Sequence, residues 1–403
     1  MIDIVSMLFI AAAIIIIGFL ANLLFKKTGW PEILFLIFIG VLLGPILNLF
    51  PKNDIIPFLP LISTFTLLMV LFGGGLELNL SEISEGGFRS IFQTIAYFAL
   101  GLIFVTLFTY FILGWQLIDG LLLGSMISTT GQVVIIPLAK KIGVQSQTAT
   151  LLSMESVIGS IICIVFFFAF LTTKLNGTFD YIAIVKSISA EFAVGIAIGV
   201  VMAIPWVWVL STLEENELAY IATLGYVIAC YAISETLMGS GALAVLAFGV
   251  ILGNDKRVSR TLRMRQSPSF SEVKTYLMHF QTELSFILRA FFFVALGLIF
   301  DVSLQSVLTG LSVGIPIVLL LFTARYLVVS VSTWRSPMAS EKGIITGMFA
   351  LGLTPALLSF IILQYDFPNA HLFPLIVTNI TIMTAAITSI SALVCRRSKK
   401  TKC

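Results

Sequence analysis

Residues 128–160 read STTGQVVIIPLAKKIGVQSQTATLLSMESVIGS, and this stretch decides how the fold is interpreted. Two hydrophobic segments meet here across a short basic loop, Lys140-Lys141. The first segment carries a run of small polar residues and then Pro137, and the second carries Glu155 in its middle. Polar and helix-breaking residues at mid-membrane depth are costly unless they line a cavity or pack against protein. The stretch is therefore the first candidate for a functional site.

The composition is that of an integral membrane protein. Of the 403 residues, 59% are hydrophobic and only 11% are charged, whereas a soluble domain carries roughly 25% charged residues. The first apolar segment follows Asp3 without a basic region or a convincing cleavage site, so we expect a retained span and not a signal peptide. The four cysteines are scattered and form no metal-binding or disulfide pattern.

Thirteen segments are long and apolar enough to span a membrane as helices, which takes about 20 residues. They lie at about 4–25, 31–50, 57–76, 91–114, 117–139, 149–172, 182–210, 218–237, 240–254, 283–300, 304–332, 343–363 and 371–395. The sequence therefore predicts an all-α polytopic membrane protein with about thirteen transmembrane helices.

The basic residues predict the orientation of these spans. With the N-terminus outside, thirteen Lys and Arg residues fall in cytoplasmic connections and five in a short basic tail at 396–403. The outer connections hold only Lys52 and Lys174. Because cytoplasmic loops carry an excess of Lys and Arg, we expect a cell-membrane protein whose N-terminus lies outside and whose C-terminus is cytoplasmic.

Spans 5 and 12 are interrupted near their middles. Span 5 holds Ser, Thr and Gly residues at 128–131 before Pro137, and span 12 holds Gly352, Thr354 and Pro355. The two spans lie seven apart, so they run in opposite directions. Broken helices at corresponding positions of inverted halves point to the site of a secondary transporter. We therefore expect inverted repeats, spans 1–6 and 8–13, whose two discontinuous helices cross.

Charged residues within the spans are functional or structural candidates. Glu155 on span 6 and Arg325 on span 11 each lie in a long apolar run and need a partner, so we predict an ion pair between them. Sequence leaves open whether this pair is a structural clamp or takes part in transport. Arg289 on span 10 is a further intramembrane charge. No HExxH, Walker or CxxC pattern is present, so we expect no enzyme activity, no cofactor and no metal centre.

Six segments resemble, in order, those of the monovalent cation:proton antiporter superfamily, in its sodium/proton exchanger branch. They are FGGGLELNL at 72–80, the passage from Thr130 through LAKKIGVQSQTATLLSMES, GSGALAVLAFGVILGN at 239–254, FVALGLIF at 293–300, the Arg325 helix, and KGIITGMFALGLTPALL at 342–358. The resemblance implies alternating access in a homodimer, with sodium and protons competing for carboxylates. It also implies a paired glutamate on span 6 and arginine on span 11.

The resemblance further implies two domains within the membrane. A mobile core is expected from spans 4–6 and 11–13, at about 91–172 and 304–395. An interface domain is expected from spans 1–3 and 7–10, at about 4–76 and 182–300.

The usual site carboxylates of that family are replaced in this chain. Three positions differ: Thr130-Gly131-Gln132 stands where exchangers carry Thr-Asp-Pro, Gly159-Ser160 where they carry Asn-Asp or Asp-Asp, and Gly73 where many carry the first glutamate of Glu-Gly-Gly. A carboxylate binds a cation when ionised and releases it when protonated. Serine and glycine do not ionise near neutral pH, so the predicted site is carboxylate-poor.

Three functions remain open from the sequence. The first is exchange of a monovalent cation, sodium, for protons at a site that uses neutral oxygens. The second is transport of an anion or neutral solute on the same scaffold, favoured by the missing carboxylates beside Arg325 and Arg289. The third is a non-transporting sensor or assembly subunit.

The predicted partners are a monovalent cation and the proton, membrane lipid and a second copy of the chain, with no nucleic acid. The candidate ion- or substrate-binding residues are Ser128, Thr129, Thr130, Gly131, Gln132, Glu155, Ser156, Gly159, Ser160 and Thr354.

Overall fold

The computed structural model describes residues 4–28, 31–49, 59–78, 80–177, 181–212, 218–261, 268–365 and 367–400. Its helices are α1 Ile4–Thr28, α2 Glu32–Val41, α3 Leu59–Glu77, α4 Leu80–Phe111, α5 Leu117–Ile127, α6 Gln132–Ile142, α7 Ser146–Asn176, α8 Tyr181–Thr212, α9 Ala219–Thr236, α10 Gly241–Gly253, α11 Asp255–Thr261, α12 Pro268–Ile299, α13 Leu304–Ser332, α14 Lys342–Gly347, α15 Leu353–Ile361 and α16 Leu372–Lys400. A π-helical turn at Leu42–Ile46 extends α2 and contains Pro45. No strand occurs in these residues.

Every predicted span coincides with one helix or with two halves of an interrupted helix, so the all-α polytopic fold is confirmed. Six helices are long and apolar enough to cross a membrane: Phe88–Phe111, Ser146–Leu175, Ser189–Leu210, Lys274–Ile299, Leu304–Ser332 and Leu372–Cys395. The remaining apolar helices in the described ranges are shorter. Half-helices and short helices of this kind are stable inside a membrane protein where neighbouring protein satisfies their ends.

Three helices extend beyond the predicted apolar spans. Helix α4 begins at Leu80, before the span predicted from about 91, and α12 begins at Pro268, before the span predicted from about 283. Helix α16 continues to Lys400, but its apolar part ends at Cys395, where predicted span 13 ends. Hydropathy marks where a helix leaves an apolar environment, but backbone hydrogen bonding continues into polar residues, many of which are good helix formers.

Packing divides the chain into two units. The first comprises Met1–Thr64, Gly86–Phe170 and Ile287–Cys403, and the second comprises Phe65–Glu85 and Leu171–Phe286. All candidate binding residues named above belong to the first unit. The predicted division into core and interface domains concerns movement, and it remains a proposal.

Helices α2 and α12 of the first unit touch backbone to backbone. A Cβ added at Gly40 would lie 2.2 Å from the Val294 carbonyl oxygen, and one at Gly297 would lie 2.2 Å from the Ile37 carbonyl oxygen. Only glycine fits this approach, as in other membrane helix pairs whose small residues let the backbones meet. The contact fixes the register between the two helices.

Spans 5 and 12 are interrupted where predicted, and the interruptions cross. Helix α5 ends at Ile127 and α6 begins at Gln132, while α14 ends at Gly347 and α15 begins at Leu353. The Gly131 amide donates to the Ala350 carbonyl oxygen at 2.7 Å. The crossing thus joins the extended segments 128–131 and 348–352 through a backbone hydrogen bond.

The extended segment 348–352 depends on threonines of α16 for its hydrogen bonds. The Phe349 amide donates to Thr388 Oγ1 at 3.3 Å, and the Leu351 amide donates to Thr384 Oγ1 at 3.2 Å. A backbone amide without a partner is strongly unfavourable away from water. These two hydroxyls therefore stabilise the interruption of span 12 by satisfying its backbone amides.

We expect Gly131→Ala to destabilise the protein. Its Cβ would lie 2.4 Å from Gly352 Cα, and such overpacking lowers the free energy of unfolding by about 1–3 kcal/mol. The matched control is Gly343→Ala on α14, where a new Cβ meets nothing within 4 Å. Thermal unfolding of the purified variants in detergent measures both effects. Equal melting temperatures for the two variants would contradict the close crossing.

Candidate functional site

A fully buried ion pair lies beside the crossing. Arg325 Nη1 on α13 donates to Glu155 Oε1 on α7, and the two side chains are 0% and 2% exposed. Removing either partner would leave the other as an uncompensated buried charge. The structure therefore brings together the two charges that the sequence places on spans 6 and 11.

The second oxygen of the Glu155 carboxylate is also engaged. Gln93 on α4 donates from Nε2 to Glu155 Oε2 at 2.8 Å. The Gln93 amide oxygen in turn accepts from Ser332 Oγ, at the end of α13, at 2.6 Å. A chain of hydrogen bonds thus joins α4, α7 and α13, and both carboxylate oxygens are occupied.

Arg325 also caps the interrupted span 12. Its Nε and Nη2 donate to the Ile345 carbonyl oxygen at 3.2 and 3.1 Å, and Nη2 donates to the Met348 carbonyl oxygen at 3.0 Å. The last carbonyls of a helix have no partner within the helix and carry partial negative charge. The Tyr97 ring lies 5.1 Å from the guanidinium carbon. Arg325 therefore makes four hydrogen bonds to groups of the protein.

A hydroxyl pair ties the interrupted span 5 to α7. Thr130 Oγ1 and Ser156 Oγ are 3.1 Å apart, and both side chains are buried. Ser156 Oγ also donates to the Leu152 carbonyl oxygen at 2.9 Å, and Ser160 Oγ donates to the Ser156 carbonyl oxygen at 2.8 Å. The hydroxyls of Ser156 and Ser160 are thus satisfied mainly within their own helix.

Two hydroxyls of the extended segment have no partner in the described part of the chain. Ser128 Oγ and Thr129 Oγ1 are buried and make no hydrogen bond there. They lie against glycines: a Cβ at Gly101 would be 2.5 Å from Ser128 Oγ, and one at Gly159 would be 2.9 Å from Thr129 Oγ1. A buried hydroxyl without a hydrogen bond costs about 1–3 kcal/mol. Such buried hydroxyls are normally satisfied by an ordered water or a bound ligand.

The other predicted binding residues have different positions. Thr354 is buried in the first turn of α15, two residues after Gly352. Gln132 begins α6, but its side chain lies outside the described residues. Arg289 does not join the Glu155–Arg325 pair and lies instead 3.6 Å from Glu32.

Four residues that support the site were not predicted from the sequence. Gln93 and Tyr97 lie four positions apart on α4, a spacing that places both on one face of a helix. Thr384 and Thr388 have the same spacing on α16. A polar pair at this spacing inside an apolar span is the signal that would have identified both pairs.

We expect Glu155→Gln to lower the free energy of unfolding by about 3–5 kcal/mol, because Arg325 then stays charged in a buried site. The variant Arg325→Met alone should also destabilise, because Glu155 is left without its counter-charge. The double variant should lose less than the sum of the two single losses, since neither charge remains. Thermal and denaturant unfolding in detergent give the three values. If the double variant loses as much unfolding free energy as the two single variants together, Glu155 and Arg325 are not coupled.

The sequence is similar to those of known membrane proteins. The family model described as "Sodium/hydrogen exchanger, transmembrane" matches residues 10–395. The chain is 25% identical over 291 residues to the "Probable Na(+)/H(+) antiporter 2" of Methanocaldococcus jannaschii, covering 68% of this chain and 64% of that protein. It is 24% identical over 383 residues to the "K(+)/H(+) antiporter NhaP" of Alkalimonas amylolytica, covering 90% and 62%.

The fold is similar to that of a solved structure, the sodium proton antiporter MjNhaP1 from Methanocaldococcus jannaschii. The TM-score is 0.81 at 18% sequence identity, covering 96% of this chain and 100% of that one. The chain spans less than two thirds of the length of the two curated relatives. Since the family model matches nearly the whole sequence, the chain belongs to the family of transmembrane sodium/hydrogen exchangers.

Proposed function

We propose that this chain is a secondary active transporter that exchanges a monovalent cation, with sodium the first candidate, for protons by alternating access. The observation that carries the proposal is the pair of buried, unpartnered hydroxyls of Ser128 and Thr129 at the crossing. Hard cations bind neutral oxygen ligands. In secondary transporters, unwound backbone and half-helix C-termini supply such ligands to sodium.

The helix ends at the crossing support a cation there. Helices α5 and α14 both end at the crossing, at Ile127 and Gly347, and helix C-termini carry partial negative charge. Arg325 neutralises the end of α14 through the Ile345 and Met348 carbonyls. The end of α5 leads directly into Ser128 and Thr129, so its negative end remains beside the free hydroxyls.

Occupancy of Arg325 weighs against an anion as the substrate. An anion at the crossing would find these donors of Arg325 already engaged, because Arg325 binds Glu155 and two backbone carbonyls. The printed names of the relatives also describe sodium/proton and potassium/proton antiporters. Cation exchange is therefore the better supported function, and the choice between sodium and potassium is left to experiment.

The assembly and orientation belong to the same proposal. The strong excess of Lys and Arg in alternate connections supports an N-terminus outside and a C-terminus in the cytoplasm. By its family we propose a homodimer in the lipid bilayer, with a mobile core of spans 4–6 and 11–13 and an interface domain of spans 1–3 and 7–10. Transport, and not enzymatic chemistry, is then the activity of the chain.

The direct test uses the purified full chain in proteoliposomes loaded with a pH-sensitive dye. With an imposed pH gradient, external sodium, lithium or potassium should collapse the gradient, and choline at equal ionic strength should not. The cation that acts at the lowest concentration identifies the substrate. Flux at the level of empty vesicles for all three cations would overturn the proposal.

The hydroxyl site makes its own prediction. Ser128→Ala and Thr129→Val should each raise the half-saturating cation concentration by about five- to tenfold, as expected for one lost ligand interaction. Their melting temperatures should stay near wild type, because neither hydroxyl makes a hydrogen bond within the described residues.

The matched control is Thr150→Val, whose exposed hydroxyl bonds the Ser146 carbonyl of its own helix. This variant should keep the wild-type cation dependence. If all three variants give the same cation dependence, the cation does not bind at Ser128 and Thr129.

A further inference from the structure

A second Glu–Arg pair lines a cavity in the first unit. The cavity has a volume of about 130 Å³, and residues of α1, α2, α6 and α12 surround it, among them Asn22, Glu32, Val134, Pro137 and Arg289. None of the candidate binding residues at the crossing lines it. The cavity is large enough to hold several water molecules, and its charged wall makes it suitable for them.

The packing of two helices brings the charges together. Glu32 precedes Gly40 by eight residues on α2, and Arg289 precedes Gly297 by eight residues on α12. Gly40 and Gly297 lie at the close contact of these helices. The helices run in the same direction, and each charged residue precedes its glycine by the same number of residues. The two charges therefore lie side by side. The position of the pair is therefore a consequence of the glycine contact.

Glu32 and Arg289 are not hydrogen-bonded to each other, whereas Glu155 and Arg325 are. The distance from Arg289 Nε to Glu32 Oε1 is 3.6 Å, which is beyond hydrogen-bond length. Asn22 Nδ2 donates to the other carboxylate oxygen at 3.0 Å. Arg289 Nε is buried and makes no hydrogen bond in the described ranges. Glu32 thus keeps one oxygen without a hydrogen bond at the cavity, whereas both oxygens of Glu155 are bonded.

The other groups around Glu32 are mostly neutral. Lys141 on α6 donates its ammonium to the Phe25 carbonyl oxygen at 3.1 Å. Helix α16, which also packs on α2, has no charged residue from 372 to 395. The side chains of Lys26 and Lys27 on α1 lie outside the described residues. Arg289 is therefore the cation nearest to Glu32 among the described side chains.

The cavity is coupled to the crossing through α6. Val134 lines the cavity and lies three residues after Gly131, which is less than one helical turn. A change in the charge of Glu32 therefore changes the electrostatic potential at the crossing, because the two places are close together.

We propose that Glu32 is the carboxylate that exchanges protons with solvent during transport, in place of the carboxylates that the crossing lacks. This inference rests on the proposed function. Ionised Glu32 compensates Arg289 and permits a cation at the crossing. A proton taken from cavity water onto Glu32 Oε1 leaves Arg289 uncompensated, and its positive charge then expels the cation. The cation and the proton therefore compete although the cation binds at the crossing and the proton binds to Glu32.

The test measures proton release from the purified full chain in weakly buffered detergent solution with a pH-indicator dye. Adding sodium chloride should release protons from wild type, and choline chloride should not. Glu32→Gln should release none. Glu191→Gln, which removes a carboxylate from a span of the second unit, should release protons like wild type.

A second variant tests the role of Arg289. Arg289→Gln removes the positive charge that lies 3.6 Å from the Glu32 carboxylate, so a proton on Glu32 no longer leaves a buried cation uncompensated. The midpoint of the pH dependence of exchange in proteoliposomes should move up by about one unit. If Glu32→Gln fails to fold, this midpoint and proton release by Glu32→Asp, which keeps a carboxylate, decide the question.

The outcomes separate this inference from the proposed function. Wild-type exchange together with unchanged proton release and pH midpoint in the Glu32 and Arg289 variants overturns the role of Glu32 and leaves cation/proton exchange standing. Absence of exchange by wild type overturns both.

Discussion

The burial of Arg325 is the constraint on which the candidate site depends. Its guanidinium has no exposed surface, so every donor and the whole charge must be satisfied by the protein. Glu155 supplies the opposite charge, and the carbonyls at the end of α14 accept the remaining hydrogen bonds. An interrupted helix would otherwise leave those carbonyls unpaired in an apolar environment. One side chain thus neutralises a carboxylate and stabilises the break in span 12.

The same constraint explains how the crossing becomes available to a ligand. Since Glu155, Gln93 and Arg325 satisfy one another, the polar groups left over at the crossing are small hydroxyls. Gly131, Gly101 and Gly159 leave room for the backbone and for the Ser128 and Thr129 hydroxyls. The site that we propose at the crossing is therefore neutral and lined by hydroxyl oxygens. Proton coupling at such a site needs an ionisable group elsewhere. The Glu32–Arg289 pair lines a cavity that α6 connects to the crossing.

The first unit contains two Glu–Arg pairs that differ in geometry. We assign a structural role to one pair and a functional role to the other. In the first pair, both carboxylate oxygens accept short hydrogen bonds and neither side chain has exposed surface beyond 2%. In the second, the nearest approach is 3.6 Å and a cavity adjoins the charges. In both pairs a proton on the carboxylate leaves a buried arginine without its counter-charge. The pairs differ because Glu32 adjoins a cavity and has one oxygen that accepts no hydrogen bond from the described residues. Both oxygens of Glu155 accept hydrogen bonds.

The sequence by itself determined the all-α polytopic fold, the two interruptions and the charges that need partners, because each follows from local hydropathy and residue type. It also paired Glu155 with Arg325. It located the apolar parts of α4 and α12 but not their first turns, since polar residues extend a helix beyond its apolar part. Only the tertiary structure decided which backbone carbonyls bind Arg325, that Thr384 and Thr388 support the break in span 12, and that Glu32 lies beside Arg289. Those partners are set by the contacts between helices distant in the chain, such as Gln93 and Glu155, which are 62 residues apart. Spacing along one sequence does not specify such contacts.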